Sequence, residues 1–239
     1  MLLKTREEVE SWLVKYNVIN YTINEDFSVD VDGDVNLSLM RLNNISVNFG
    51  IVSGYFNCRK NSLKNLEGCP REVGGSFYCS GNLLTSLVGG PISIVNYFDC
   101  ANNRLTDLVG CPAMLIGIGI LNCSDNKLTS LLGCPEISDN FFCNGNQLTS
   151  LEYCPKNIVG NFSCDNNKLT SLEGCPIVVS NFDCSNNLLE TLEGCPVSIG
   201  GSFSCHSNGL RLLDFGPKTV GGDFNCSYNL LETLVNCPV

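Results

Sequence analysis

The sequence predicts a mainly β repeat solenoid, made of short coils with a parallel sheet along one face and closed at its N-terminal end by a small α+β cap. Three observations predict it. The phrase "FSCDNNKLTSLEGCP" at residues 162–176 returns at 182–196 as "FDCSNNLLETLEGCP", with ten letters unchanged. Aligned on this phrase, the chain holds nine copies whose first cysteines are Cys58, Cys79, Cys100, Cys123, Cys143, Cys164, Cys184, Cys205 and Cys226, spaced by 20 or 21 residues except for one step of 23. In every copy the same residue types recur at the same offsets, and a fixed period of this length marks stacked coils that share one core.

The first 50 residues read as the cap. Thr5 and Glu8 form a capping box for a helix that carries Val9, Trp12, Leu13 and Tyr16 on one face. "YTINEDFSVDV" alternates around "NED" and reads as a hairpin. From about residue 35 a degenerate first coil follows, with Val35, Leu37, Leu42 and Ile45 in the core positions and Met40 in place of an asparagine. Residues 51–239 are then a nine-coil solenoid.

Each coil follows one grammar. "V-x-G-x-F-x-C" alternates apolar or small residues with variable ones, the period of a strand with one buried face. Phenylalanine stands two residues before the first cysteine in eight coils, with Leu121 in the ninth. Three residues after the cysteine comes an asparagine, at Asn61, Asn82, Asn103, Asn126, Asn146, Asn167, Asn187, Asn208 and Asn229. The chain must turn there, and the side-chain amide can satisfy backbone groups that a tight bend would orphan. Leucines follow two and five residues later and fill the interior, and all nine prolines stand twelve residues after the cysteine. Length variation falls after the proline, and the longest gap carries the insert "AMLIGIGI" at residues 113–120. Such a coil has no room for a full return helix.

"F-x-C-x-x-N-x-L-x-x-L" resembles the strand, asparagine and leucine signature of leucine-rich repeats in a short 20–21 residue form. The fuller phrase "LTSLEGCP…VGGxFxC" resembles repeat proteins encoded by large tailed bacteriophages. The resemblance, which extends to related viral and bacterial genomes, covers residues 52–239 and implies the architecture and no particular activity.

Composition excludes several functions. With 24 acidic and 14 basic side chains the formal charge is −10, the wrong sign for gripping phosphate backbones or an anionic bilayer. Nucleic acid and membrane are therefore not expected partners. The N-terminus turns polar after three residues and no stretch reaches eighteen apolar residues, so a cytoplasmic chain is expected. Sixteen cysteines would suggest disulfides in a secreted chain. Yet the second cysteine column is replaced by Gly90 and Gly216, which leaves Cys79 and Cys205 without an in-coil mate, and no C-x-x-C offers a metal cage. Buried thiols acting as small apolar side chains are the expectation, with no metal and no cofactor. The single histidine, His206, has no nucleophile paired with it in sequence, so no enzyme is expected. Asp30, Asp32 and Asp34 in "DVDGD" depart from a calcium loop in the place of their glycine and are expected to be acidic residues on one strand face.

Function is expected on the variable strand positions. The outward residues include Tyr55, Tyr78, Tyr97 and Phe142 in the early coils, and Asp99, Asn122, Asp165 and Asp183 among the polar ones. Outward aromatics suit a protein interface, so a non-enzymatic protein-binding module is expected, with a phage factor that sequesters or inhibits a host protein as its sharpest form. A virion-associated adhesin or structural protein that recognises a receptor or glycan is the alternative, because Asn and Asp also suit sugars. The closing "NCPV" carries no polar cap, which predicts a partner there, either a second copy or a host protein.

Overall fold

The computed structural model describes residues 2–112, 114–115, 117, 119–137, 139–178 and 180–238. The chain divides into two compact units, Met1–Leu105 with Val109–Ile120, and Thr106–Leu108 with Leu121–Val239. Each is a run of parallel coils, the fold that the repeat predicts.

The first unit opens with the helix Arg6–Lys15, whose cap Thr5 accepts the Glu8 N–H through its side chain. The other half of the expected capping box falls one residue upstream, because the Glu8 carboxylate accepts the N–H of Lys4 at 3.4 Å. Ten residues make a marginal helix in water. This one is held by Val9 and Leu13, both buried, and by Trp12, whose ring lies 6.1 Å from Phe49. The hairpin pairs Tyr21–Ile23 with Ser28–Val31. Its second strand starts a parallel ladder that runs through Asn48–Val52, Glu72–Val73, Ser93–Ile94 and Met114–Leu115. A second parallel ladder in this unit pairs Val35–Asn36, Phe56–Asn57, Phe77–Tyr78 and Tyr97–Asp99. Val35, on this ladder, and Leu37 just after it are both buried.

In the second unit the main ladder starts at Leu121 and Asn122, which pair with Phe141 and Phe142. It continues through Phe162–Ser163, Phe182–Asp183, Phe203–Ser204 and Phe224–Asn225. Two short pairs accompany it, Asn157–Ile158 with Ile177–Val178 and Ser198–Ile199 with Thr219–Val220. Of the "AMLIGIGI" insert, Ala113, Ile116 and Ile118 lie outside the described residues, as does the closing Val239.

One expectation needs correction. "V-x-G-x-F-x-C" is not a single strand but two two-residue strands, such as Glu72–Val73 and Phe77–Tyr78, separated by a corner. The reason is the contact between successive coils. A Cβ on the motif's glycine, Gly75, would come within 2.9 Å of the Gly54 backbone, so glycine lets the two coils meet closely there, and at the variable position before it a Cβ on Gly74 would come within 2.2 Å of the Ser53 carbonyl oxygen.

The core consists of stacked columns. In-register pairing puts each phenylalanine on the next, with ring centroids 5.3 Å apart for Phe162 and Phe182 and 5.4 Å for Phe182 and Phe203. The leucine columns, apart from Leu231 and Leu234 in the last coil, and most first-column cysteines are fully buried. All sixteen cysteines are thiols; those of the second column are less enclosed, and Cys237 is exposed.

The asparagines join coil to coil. Asn146 donates to the carbonyls of Cys123 at 3.1 Å and Cys143 at 3.0 Å, and its Oδ1 accepts the N–H of Leu128 at 3.0 Å. Asn82, Asn103, Asn167 and Asn187 repeat the pattern in buried surroundings. The residue just before each ladder asparagine is left-handed, from Lys60 (φ 52) to Tyr228 (φ 53). This explains the preference there for Asn, Asp and Gly, which tolerate that region.

Candidate functional site

The strand face of the first unit carries a compact aromatic cluster. Tyr55 and Tyr97 stand just before the phenylalanine of their coils, and Tyr78 stands just after its own. The stagger brings the Tyr78 ring between the other two, edge to face, with centroids 6.4 Å from Tyr55 and 5.7 Å from Tyr97. The Arg59 guanidinium lies 4.8 Å from the centre of the Tyr78 ring. All three tyrosines are half-buried, so each ring packs on a neighbour and still offers an open edge.

Asp99, expected on this exposed face, is a correction: it is only 6% exposed. Its carboxylate accepts the Ser80 hydroxyl at 2.6 Å and the Ala101 N–H at 3.2 Å. The second bond belongs to a recurring device that sequence reasoning missed. An Asn or Asp just after the core aromatic position bends back and accepts the N–H two residues on, closing the strand as an Asx turn. Asn36, Asn57, Asn122, Asp183 and Asn225 do the same at 2.9–3.1 Å. Asn122 also takes the Ser124 hydroxyl at 2.7 Å. Asp165 is engaged by the Ser163 hydroxyl and the Asn166 amide.

A second missed device occupies the position just before the phenylalanine. Asn140 accepts the N–H of Asn161 at 2.7 Å, Asn181 that of Ser202 at 2.7 Å, and Ser202 that of Asp223 at 3.0 Å, each reaching one coil onward. These bonds hold the corner N–H groups where ladder pairing is interrupted. The repeated "NF" at residues 140, 161 and 181 was the available signal. Asp30 and Asp34 serve the same purpose in the first unit, accepting the N–H of Ile51 at 2.7 Å and of Tyr55 at 2.9 Å. The acidic run is thus part of the corner scaffold, and among the described residues no three His, Cys, Asp or Glu side chains converge to hold a metal ion.

The polar groups of the face are therefore largely spent on the coil's own backbone. The aromatics are different, since Tyr78 and Phe142 stand where six other coils place an Asx turn, and Tyr55 stands where Asp34 or Asn140 would reach onward. Phe142, in the second unit, is half-buried and pairs in register with Ser163. His206 is half-buried, with Nδ1 2.9 Å from the Ser207 hydroxyl.

Among the described residues no helix is long and apolar enough to cross a membrane. No family model matches the chain and no curated protein matches it. A solved structure with a similar fold is YopM from Yersinia enterocolitica WA-314, a leucine-rich-repeat protein. Its TM-score is 0.57 and its sequence is 18% identical, over 85% of this chain and 48% of that one. The chain spans about half the length of that protein, and the likeness carries the fold, a leucine-rich-repeat-like solenoid.

Proposed function

We propose that the chain is a non-enzymatic protein-binding module that captures its partner on the strand face of the first unit, through Tyr55, Tyr78 and Tyr97. One observation carries this reading. The aromatics replace residues that elsewhere in the repeat satisfy the backbone, so their presence answers to something other than the coil. Clustered tyrosines beside an arginine are the composition of interface hot spots. Arg59, lying over the Tyr78 ring, places a guanidinium beside the cluster where a partner's carboxylate could meet it. The resemblance to phage repeat proteins supports an accessory factor acting on a bacterial host protein in the cytoplasm. The adhesin reading is weaker, because Asp99, Asn122, Asp165 and Asp183 already hold intramolecular bonds that a sugar would have to displace.

The test is capture from host lysate by the immobilised chain, followed by affinity measurement on the recovered protein. Replacing Tyr78 and Tyr97 together by Ser should weaken binding by more than about 2 kcal/mol with an unchanged circular dichroism spectrum. Arg71→Ser and Glu72→Ser, on the other ladder, should leave binding as it was. Equal binding by the tyrosine variant refutes the site. Mass spectrometry of purified virions separates the two biological settings, since an adhesin must be present in particles.

A further inference from the structure

A different edge of the second unit carries features that the coil does not need. In each of the nine repeat coils the residue two places after the second core leucine is left-handed. Six coils put glycine there, including Gly174 (φ 85) and Gly194 (φ 87). Three do not. Asn236 (φ 64) is a residue type that tolerates this region, but Tyr153 (φ 67) and Phe215 (φ 65) are bulky aromatics, 52% and 68% exposed. Space is also short, because a Cβ on Gly194 would come within 2.4 Å of the preceding coil's backbone at Leu172. Two aromatics thus occupy positions that disfavour bulky side chains, and more than half of each stays exposed there.

Their surroundings say what would use them. Tyr153 and Phe215 lie three coil steps apart, about 14 Å at about 4.8 Å per step. Between them the two intervening coils expose bare glycine backbone at Gly174 and Gly194. Each aromatic is directly preceded by a carboxylate, Glu152 and Asp214, and the coils between supply Glu173 and Glu193, all exposed. Ser150, Glu152, Ser171, Glu173 and Gly174 line an open cleft of about 530 Å³. Glu136 and two ammonium groups, Lys156 and Lys218, complete the charge along this edge and leave it net acidic.

We propose that this edge binds an extended, cationic segment of a partner protein, with one Lys or Arg over Tyr153 beside Glu152 and a second over Phe215 beside Asp214. A ring face and an adjacent carboxylate together favour a cation. At about 3.3 Å per residue, the 14 Å span corresponds to basic residues four apart, at i and i+4. The glycine floor admits the peptide backbone between the two posts. This edge is independent of the tyrosine cluster, so either can fail without the other.

Fluorescein-labelled Gly/Ser peptides carrying two arginines at i and i+4, or at i and i+2, test it by anisotropy with the intact chain at low ionic strength. The i,i+4 peptide should bind at least about tenfold more tightly than the i,i+2 peptide. Tyr153→Gly with Phe215→Gly should lower its affinity about tenfold or more and at the same time raise the melting temperature, which separates lost binding from lost folding. Glu152→Gln with Asp214→Asn should weaken binding at an unchanged melting temperature. The proposal is overturned if the wild type binds neither peptide, if spacing makes no difference, if the glycine variant binds as the wild type does, or if that variant melts lower.

Discussion

Alkali should unfold this protein through its cysteines. Cys79, Cys100, Cys143, Cys164, Cys184 and Cys205 are fully buried. Burial is the main cause that holds each thiol far above the ordinary range, and neighbouring thiols and the carboxylates of Asp99, Asp165 and Asp183 push the same way. The unfolded chain ionises its thiols near pH 8.5. Because the folded pKa values are raised, the stability is complete below that pH and is lost progressively as the pH climbs toward the folded values. Each thiol removes about 1.4 kcal/mol per pH unit, so these six remove about 8 kcal/mol per unit and the likewise raised thiols of Cys69, Cys154, Cys175 and Cys195 about 5 more, against a typical domain stability of about 5–15 kcal/mol. Cooperative unfolding is therefore expected between about pH 8.5 and pH 10. Far-UV circular dichroism against pH, in a phosphine reductant that prevents oxidation, reads it directly. Cys164→Ala with Cys184→Ala removes two of these ten raised thiols and should make the alkaline loss about a fifth less steep while lowering stability at neutral pH. A native spectrum at pH 10.5, or a slope indifferent to these substitutions, refutes the reasoning.

Other perturbations probe the ladders and the corners. Asn146→Ala strands the buried N–H of Leu128 and two carbonyls and should cost about 2–4 kcal/mol in urea unfolding, whereas Asn229→Ala, where water reaches the same bonds, should cost under about 1 kcal/mol. Asn146→Asp sets a carboxylate against two carbonyl oxygens, which raises its folded pKa. The variant should accordingly recover stability relative to wild type as the pH falls toward about 4, where the recovery is complete, and lose it again as the pH rises through the raised folded pKa. Gly74→Ala should destabilise by more than about 2 kcal/mol by forcing the corner apart at Ser53. Alkylation without reductant should label sixteen thiols in denaturant and few in the native state at neutral pH, with Cys237 among the first.

Positions that face the stack were legible in the sequence, because every coil presents the same environment and nine copies repeat one answer. The phenylalanine, cysteine, asparagine and leucine columns stand where the period put them. The corner was not legible as such. Alternation continues through "V-x-G-x-F" whether the strand bends or not, and only the glycine, as at Gly75 against Gly54, marks the close approach of the preceding coil. The roles of Asp99, Asn122 and Asp183 were also hidden. Alternation places them outward, but a two-residue strand ends so soon that their side chains fold back onto their own backbone. Tyr55, Tyr78 and Tyr97 were legible as outward residues, while their edge-to-face packing followed from a stagger visible only once strands are in register. Tyr153 and Phe215 left a trace in the sequence as interruptions of a glycine column, which becomes meaningful once that column is known to be left-handed.

The asparagine bonds also impose a direction in time. The N–H of Leu128 is satisfied by Asn146, eighteen residues later in the chain, and the Cys123 carbonyl by the same side chain. A coil is thus completed by its successor. As the chain leaves the ribosome, each coil stays open at its turn until most of the next has emerged, and structure then advances one coil behind synthesis, each new asparagine locking the coil before it.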